Sequence, residues 1–169
     1  VMKSFGVFVD VGESITRFTI AAPQRYRARE YAIEPDASAA SYFWAAAAIT
    51  GGDLELINGR LEHIQAVTKV LSGAGISFAE TERGFRVSCA NGALTGVDVM
   101  TEPFPGFPTD LQAQLMALMS MANGTSSLRE TIFENRFMHV QELARLGADI
   151  HLHGDTAEVR GTGKLTGAE

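Results

Sequence analysis

The chain has 169 residues, of which 46% are apolar and 20% are charged, and its formal net charge is −6. The negative charge argues against a general nucleic-acid binder, because such binding depends on Lys and Arg side chains that neutralise phosphates. The longest apolar stretch, residues 37–50, is too short to span a bilayer, so we expect no membrane partner. A single cysteine, Cys89, excludes an internal disulfide and predicts a cytoplasmic location.

Three glycines mark a pattern that the chain repeats. Gly6, Gly75 and Gly147 each follow a helical stretch and precede two short alternating runs that a polar turn separates. Their spacing of about 70 residues is typical of a supersecondary unit repeated in tandem. A unit of this kind cannot bury its apolar face alone, so we expect the copies to pack on one another.

The first copy, residues 1–28, is partial and contains the end of a helix and strands near 7–11 and 17–21. The second, residues 29–91, is complete. Its expected elements are, in order, a strand at 29–33, a helix at 39–50, a strand at 53–57, a helix at about 60–72 and a hairpin at 76–88. The helix at 39–50 has no polar stripe, which predicts that it is buried on all sides in an inner layer.

The third copy, residues 92–161, follows the same order. Its expected elements are a strand at 94–101, a Pro-rich loop at 102–107, a helix at about 110–122 on Leu111, Leu115, Leu118 and Met119, a strand at 125–132, a helix on Phe137, Val140, Leu143 and Leu146, and a hairpin at 149–160. Residues 162–169 begin a further copy. We therefore predict an α+β fold of βαβαββ repeats in a single domain over 1–169, and the two ends are hypothesised to complete a three-unit ring.

Two loops carry side chains that suit ligand binding. Asp110 ends a Pro-rich loop at the start of a helix, where backbone N–H groups and the helix dipole hold a carboxylate. From the spacing alone, simple capping of the helix is the favoured interpretation. The loop at 133–139 is rich in polar and aromatic residues, and Asn135 and Arg136 indicate ligand contact. A surface cluster of Glu134 with Arg136 explains this loop equally well.

Two further segments allow a ligand but have simpler explanations. Asp36, within residues 34–41, lies at the start of the buried helix, where an anionic oxygen can bind. Capping of that helix is the preferred interpretation. Arg25, Arg27 and Arg29 recur with period two and share one face of an extended segment. A solvated strand end is the preferred interpretation there.

The sequence also argues against several kinds of chemistry. His151 and His153 alternate on a strand, but no third ligand recurs at metal-binding spacing, so we expect no metal. Cys89 lies in an alternating strand and is interpreted as a packing residue. No glycine-rich phosphate-binding motif is found, and we expect no cofactor.

Long motifs resemble the enolpyruvyl transferase family. PFPGFPTDLQAQLMALM and GTSSLRETIFENRFMHVQELARLGADI, within residues 53–169, resemble UDP-N-acetylglucosamine enolpyruvyl transferase. MKSFGVFVDV and RYRAREYAIEPDASAASYFWAAAAITGG, within residues 1–52, resemble its sister, 5-enolpyruvylshikimate-3-phosphate synthase. The resemblance implies an inside-out α/β barrel, in which two domains each contain three six-element units with helices inside and sheets outside.

The resemblance also implies a reaction. This family transfers the enolpyruvyl group of phosphoenolpyruvate to a sugar hydroxyl and releases phosphate, and UDP-N-acetylglucosamine is the expected acceptor. Asp110 holds the position of the aspartate that contacts the accepting hydroxyl and serves as a candidate catalytic base. Thr109, beside it, is expected to contact substrate.

The same resemblance assigns four further substrate contacts. It places Ile132, Phe133 and Arg136 near the nucleotide sugar, through the FENRF loop. Asp36 matches the aspartate of the DASSASYF stretch in the shikimate enzyme. These assignments depend on the family motifs and not on spacing or composition.

The chain departs from the family pattern in ways that limit its activity. The family's lysine, asparagine and mobile-loop cysteine have no counterpart, and the DLRASASL stretch is missing. Because the family's active site lies between two domains, the isolated chain is expected to be inactive until a second domain is supplied. The alternatives are an engineered chimera or a fragment that acts only as a folding unit, a shikimate-3-phosphate-type acceptor, and a homo-oligomer paired through exposed edges.

Overall fold

A computed structural model describes residues 5, 7–11, 18–21, 27, 30–33, 35–89 and 93–167. The chain forms two compact units, Val1–Glu34 and Pro35–Glu169, and each is described by itself. In the first unit, β1 (Val9–Val11) pairs with β2 (Phe18–Ile20) in an antiparallel hairpin. These short strands match the two strands that the sequence predicts near 7–11 and 17–21.

The strand predicted at 29–33 is wrong for residues 30–33, which belong to neither a helix nor a strand. A strand requires ladder hydrogen bonds to a neighbour, and within the described part of the chain no segment pairs with these residues. Gly6, Arg25, Arg29 and Glu34, on which parts of the repeat and loop predictions depend, lie outside the described residues.

The second unit contains four helices and seven strands among its described residues. They are α1 (Ala37–Ile49), β3 (Asp53–Ile57), α2 (Gln65–Gly73), β4 (Ser77–Thr81), β5 (Gly84–Ser88), β6 (Val99–Met100), α3 (Gln112–Ser120), β7 (Thr125–Arg129), α4 (His139–Arg145), β8 (Asp149–His153) and β9 (Thr156–Arg160). Two sheets result, with strand orders β3-β5-β4 and β6-β7-β9-β8. All pairs of named strands in these two sheets are antiparallel except β6 with β7, which is parallel.

Several element boundaries differ from those that the sequence predicts. The helices predicted at 60–72 and 110–122 each begin as a 3-10 turn, at Leu61–Ile64 and Thr109–Leu111. The strand predicted at 94–101 shortens to β6, because Leu94 and Gly96 exchange backbone hydrogen bonds with the segment that follows α3 instead of with a strand. The strand predicted at 125–132 ends at the last residue of β7, where the chain turns inward.

The second unit is layered, with α1 and α3 packed on each other between the two sheets. α1 contacts β3 and β5, whereas α3 contacts β7 and β9. α3 is buried along its length, and the predicted core positions Leu111, Leu115, Leu118 and Met119 are all confirmed as buried. The two sheets add alternating inward side chains, since Val87 of β5 and Val159 and Ala157 of β9 are fully buried. One apolar core therefore holds both sheets together.

The prediction that the first of these helices is buried on all sides is wrong. Trp44 is fully buried among the core residues, but Tyr42 and Phe43 are exposed. The reason is that α3 and the sheet of β3 and β5 cover only part of the α1 surface. No helix among the described residues is both long and apolar enough to cross a bilayer.

Two of the three recurring glycines end helices in the same way. Gly75 and Gly147 both have positive φ angles, 95° and 91°, which a residue with a side chain rarely adopts. In each case the next backbone N–H, from Ile76 or Ala148, donates back to a carbonyl five residues earlier at 3.0 Å. This closure is that of a Schellman motif, and it turns the chain from helix into hairpin.

Candidate functional site

Asp110 does not cap its helix. It lies in the 3-10 turn Thr109–Leu111, which follows Pro108, and neither this turn nor α3 has a side-chain cap. The carboxylate instead accepts a hydrogen bond at Oδ1 from Nη2 of Arg136, at 2.7 Å. Among the residues that the structure describes, no donor reaches Oδ2. The capping interpretation is therefore wrong, and one carboxylate oxygen remains available to a ligand.

Arg136 reaches Asp110 from the loop between β7 and α4, residues 130–138, which we call the 130–138 loop. Asn135 takes a positive φ of 57° and turns the backbone just before the arginine. The guanidinium carbon of Arg136 lies 5.0 Å from the centre of the Phe133 ring, within the range of a cation–π contact. The ring and the Asp110 carboxylate together fix the orientation of the guanidinium. The alternative cluster of Glu134 with Arg136 does not form, since the arginine pairs with Asp110.

A buried carboxylate, Glu130, joins the two segments. Its side chain is at the first position of the 130–138 loop, and the residue is only 4% exposed. Oε2 accepts from the hydroxyl of Thr109 at 2.7 Å, and Oε1 accepts from the hydroxyl of Thr101 at 2.8 Å. Oε1 also accepts from the backbone N–H groups of Ile132 at 2.9 Å and Phe133 at 3.2 Å. We call these five residues the Glu130 cluster.

The Glu130 cluster favours the ionised carboxylate. Burial by itself raises the pKa of Glu130, because it disfavours the charged form. Hydrogen bonds from Thr109, Ile132, Thr101 and Phe133 favour the charged form and outweigh burial, so the net pKa lies below the usual value for glutamate. The cluster is thus a satisfied anionic centre below the surface of the site.

An open cavity of about 880 Å³ lies along the 130–138 loop and the turn between β8 and β9. We call it the loop cavity. Its walls combine exposed apolar side chains with charged ones, and they are formed by Arg129, Glu130, Thr131, Ile132, Phe133, Glu134, Asn135, Arg136, Phe137, Met138, Leu152, Gly154 and Asp155. Three of the predicted substrate contacts, Ile132, Phe133 and Arg136, line it, whereas Asp110 is joined to it through Arg136.

Asp36 is separate from this arrangement. Its Oδ1 accepts from the backbone N–H of Ser38 at 2.7 Å, so it caps α1 as the sequence favours. It lines a different and much smaller cavity, of about 30 Å³, beside Asn58 and Gly59. Neither Asp110 nor Arg136 lines that cavity.

Comparison with known proteins identifies the family. The model of the family described as EPSP synthase (3-phosphoshikimate 1-carboxyvinyltransferase) matches residues 1–169. The chain belongs to the EPSP synthase family. The UDP-N-acetylglucosamine 1-carboxyvinyltransferase of Rhodospirillum centenum is 57% identical over 157 residues, which are 93% of this chain and 36% of that enzyme. The enzyme of the same name from Ruegeria pomeroyi is 47% identical over 167 residues, 99% of this chain and 39% of that enzyme.

The chain therefore spans little more than a third of the length of these curated relatives. The match to the Ruegeria pomeroyi enzyme includes almost the whole chain, so likeness to that group of enzymes is not limited to residues 53–169. The difference in resemblance near Gly52 consequently does not require a chimera.

Solved structures of enolpyruvyl transferases share the fold. The enolpyruvyl transferase NikO from Streptomyces tendae aligns with a TM-score of 0.82 at 17% identity, over 95% of this chain and 38% of that one. The EPSP synthase of Acinetobacter baumannii aligns with a TM-score of 0.56 at 18% identity, over 98% of this chain and 38% of that one. At these identities the likeness shows only a fold of mixed helix and strand content. The barrel, the repeat boundaries and the single domain over 1–169 stay predictions.

His139 and the histidines of β8 add no metal site to this member of the EPSP synthase family. His139 begins α4, and burial, with a smaller contribution from the positive charge of Arg136, lowers its pKa, so the ring is neutral at pH 7. His151 pairs with Asp149 of its own strand at 2.8 Å. Within the described part of the chain, no group of three or more His, Cys, Asp or Glu residues is arranged to hold a metal ion. Cys89 is buried, as the packing interpretation predicts.

Sequence reasoning missed Glu130, although it found Thr109, Ile132 and Phe133 around it. One sequence feature pointed to Glu130: it directly follows the alternating strand TSSLR, at the position where the chain leaves the sheet. Nothing in the sequence, however, distinguishes a glutamate that turns inward from one that turns to solvent. Its role becomes visible only when residues 101 and 109, remote in sequence, meet it.

Proposed function

We propose that the chain forms one wall of the active site of an enolpyruvyl transferase, which transfers the enolpyruvyl group of phosphoenolpyruvate to a hydroxyl of UDP-N-acetylglucosamine. The family match and the 57% identity to an enzyme named for that reaction support the proposal. The observation that carries it is the ion pair of Asp110 with Arg136 at the edge of the loop cavity.

The chemistry assigns a proton transfer to Asp110. In the net reaction the acceptor oxygen forms a bond to the enolpyruvyl carbon that carries the phosphate, the bond from that carbon to the phosphate oxygen breaks, and the hydroxyl proton must leave. Oδ1 of Asp110 is held by Arg136, which leaves Oδ2 to accept that proton. A carboxylate within hydrogen-bond reach of the hydroxyl suits this role as a general base.

The loop cavity suits a nucleotide sugar. Arg136 supplies a positive charge for a diphosphate, and a guanidinium binds phosphate oxygens through paired N–H donors. Phe133 and Leu152 are half exposed and give apolar surface against which a ring can pack. In this proposal Ile132, Phe133 and Arg136 bind the acceptor, whereas Asp36 stabilises α1 and makes no substrate contact.

The test is a hybrid enzyme, in which this chain replaces the matching segment of the Rhodospirillum centenum relative. Phosphate release from phosphoenolpyruvate is measured with UDP-N-acetylglucosamine and, in parallel, with shikimate 3-phosphate as acceptor. We expect turnover with the nucleotide sugar only. A hybrid that is folded by circular dichroism but turns over only shikimate 3-phosphate would establish the alternative acceptor, and one that turns over neither would contradict the proposal.

The isolated chain provides a second measurement. We expect no turnover, because proximity and electrostatic stabilisation require both walls of the cleft. In an NMR titration with UDP-N-acetylglucosamine, we expect millimolar binding with shifts at Asp110 and Arg136. Absence of those shifts would remove the acceptor assignment. Light scattering on the same sample tests the predicted homo-oligomer, which a monomer would exclude.

A further inference from the structure

The two halves of the Asp110–Arg136 pair are anchored by one carboxylate. Thr109, which donates to Oε2 of Glu130 at 2.7 Å, immediately precedes Asp110 in the chain. Phe133, whose backbone N–H donates to Oε1 at 3.2 Å, carries the ring against which Arg136 packs. Displacement of Glu130 would therefore move both partners of the ion pair.

The pair cannot hold these segments together alone. The Asp110 side chain is 62% exposed and that of Arg136 is 37% exposed. An ion pair in such contact with water contributes little, because solvent screens the charges and two side chains lose freedom. The Glu130 carboxylate is itself buried, its bond from Thr101 is buried and its other three bonds are partly buried. Hydrogen bonds to a charged acceptor are about twice as strong as neutral ones. The Glu130 cluster, which lies beneath the exposed Asp110–Arg136 pair, therefore determines the geometry of that pair.

The Glu130 cluster is also tied to the sheet. The hydroxyl of Thr101, fully buried, donates to Oε1 of Glu130 and accepts from the backbone N–H of Thr131 at 2.9 Å. The hydroxyl of Thr131 in turn donates to the carbonyl of Thr101 at 2.5 Å. The backbone N–H of Glu130 donates to the carbonyl of Asp155 at 2.8 Å, in the turn between β8 and β9. Glu130 is thus hydrogen-bonded to Thr101 and to the turn between β8 and β9 as well as to the 130–138 loop.

Four donors on two oxygens explain why this position holds a carboxylate. Ionised glutamate offers about four acceptor sites and no donor, and each of its oxygens is used here. Glutamine would keep one acceptor oxygen and lose the charge. Its NH₂ group would face either Thr109, whose hydroxyl would then have to accept instead of donate, or the backbone N–H groups, which cannot accept. A buried donor that loses its acceptor is unfavourable, so the surrounding segments would rearrange.

We propose that Glu130 is a positioning residue, which holds the turn of Asp110 against the 130–138 loop so that the Asp110–Arg136 pair is formed before the nucleotide sugar binds. The identity of the ligand in this proposal rests on the proposed function. The effect of Glu130 on the geometry of the Asp110–Arg136 pair can be tested without any ligand. Preformed geometry increases affinity because the segments need not be ordered on binding.

The test uses the full chain with isotope labels and five variants: Thr109→Val, Thr109→Ser, Glu130→Gln, Glu130→Ala and Ser126→Ala. Two signals report the pair in the absence of ligand, the side-chain carboxyl carbon of Asp110 and the Nε–Hε resonance of Arg136. Affinity is measured by titration with UDP-N-acetylglucosamine. Ser126→Ala is the matched control, since its buried hydroxyl in β7 accepts from the backbone of Val97 at 3.0 Å, outside the Glu130 cluster.

We expect Thr109→Val to move both ligand-free signals and to weaken nucleotide-sugar binding about tenfold, the effect of one lost hydrogen bond to a charged group. Thr109→Ser keeps the hydroxyl and should restore both. For Glu130→Gln, the shifts of both signals and the affinity should lie between those of the wild-type chain and those of Glu130→Ala. Ser126→Ala should lower the melting temperature but leave both signals and the affinity unchanged. A direct contact of Thr109 with substrate would alter affinity without moving the ligand-free signals.

Folded Thr109→Val and Glu130→Gln variants with unmoved Asp110 and Arg136 signals would overturn the positioning role. If Glu130→Ala does not fold, the other variants decide, because each changes only one group. If the wild-type chain does not bind UDP-N-acetylglucosamine, that result contradicts the proposed acceptor, and the ligand-free signals still decide the role of Glu130.

Discussion

Three strands of each sheet in the second unit follow the same order, β3-β5-β4 and β7-β9-β8, but the loops after β3 and β7 differ. After β3, the short loop at 58–60 leads directly into the turn Leu61–Ile64. After β7, the 130–138 loop is longer and leads to α4. In both regions a hairpin returns so that its second strand, β5 or β9, lies at the centre of the antiparallel set. The framework is alike, and the loops set the two regions apart.

Packing beneath the loops differs accordingly. By register, Phe85 lies opposite Leu56 in one sheet, and Ala157 lies opposite Leu128 in the other. The ring of Phe85 is so close to the short loop that a Cβ added to Gly59 would lie 2.5 Å from it. The loop at 58–60 packs on a phenyl ring and lines a cavity of about 30 Å³, whereas the 130–138 loop begins with a buried carboxylate and lines one of about 880 Å³.

The same residue type has different roles in the two regions. An aspartate precedes the buried helix in each, Asp36 before α1 and Asp110 before α3. Asp36 caps its helix, because Ser38 presents a backbone N–H to it and no arginine approaches it among the described residues. Asp110 pairs with Arg136, which lies in the longer loop. A binding site thus arises from a loop difference on a shared framework.

The largest effect is expected where the short loop depends on apolar packing. Phe85→Ala removes a fully buried ring and should lower the free energy of unfolding by about 3–5 kcal/mol. Chemical denaturation measures it, with Phe78→Ala as the matched control, because Phe78 is only partly buried in the same hairpin and should lose less. A loss below about 1 kcal/mol for Phe85→Ala would show that the ring does not support the first region.

The next effect concerns the long loop and is catalytic. In the hybrid enzyme, Asp110→Asn should reduce phosphate release about 100-fold, or about 2.7 kcal/mol in activation free energy, since an amide cannot accept the hydroxyl proton. Asp53→Asn is the control, because it also neutralises an exposed partner of an arginine, Arg86 at 2.6 Å, but on β3. Equal activity of the two variants would remove the base role of Asp110.

Acid should weaken the second region through Glu130. Its pKa is lower in the folded chain than in the unfolded chain, so its stabilisation is complete above the unfolded pKa and is lost as pH falls through the folded pKa. At neutral pH, Glu130→Gln should lower the free energy of unfolding by about 2 kcal/mol. As the pH falls below about 4.5, the ordinary pKa of glutamate, the difference from the wild-type chain should shrink. A difference that stays constant over this range, measured by denaturation, would contradict an ionised Glu130.

The smallest effect is expected at the other aspartate. Asp36→Ala removes the cap of α1 and should lower the free energy of unfolding by about 1 kcal/mol. Asp36→Asn keeps a capping oxygen and should have almost no effect on stability. Thermal unfolding of the two variants measures the difference. If Asp36→Ala loses more free energy of nucleotide-sugar binding than of unfolding, Asp36 contacts the substrate.

Much of the second unit was predictable because local signals agree there. Glycines with positive φ end the helices before both hairpins, and burial alternates along β5 and β9. Predictions were wrong where long-range pairing decides the outcome. Residues 30–33 have a sequence typical of a strand but no ladder partner in the described part of the chain. In the strand predicted at 94–101, Leu94 and Gly96 form backbone hydrogen bonds with the segment after α3.

For the candidate site, the family motifs gave Asp110 and Arg136 separately, but no spacing rule pairs residues that are 26 positions apart. The same is true of Glu130, whose donors come from three separate places along the chain. The sequence by itself determined the helices and the hairpins, because these depend on local periodicity and turn chemistry, and its family motifs indicated the residues of the site. Only the tertiary structure decided which carboxylate caps a helix, which pairs with an arginine and which is buried, because hydrogen bonds depend on distances in space.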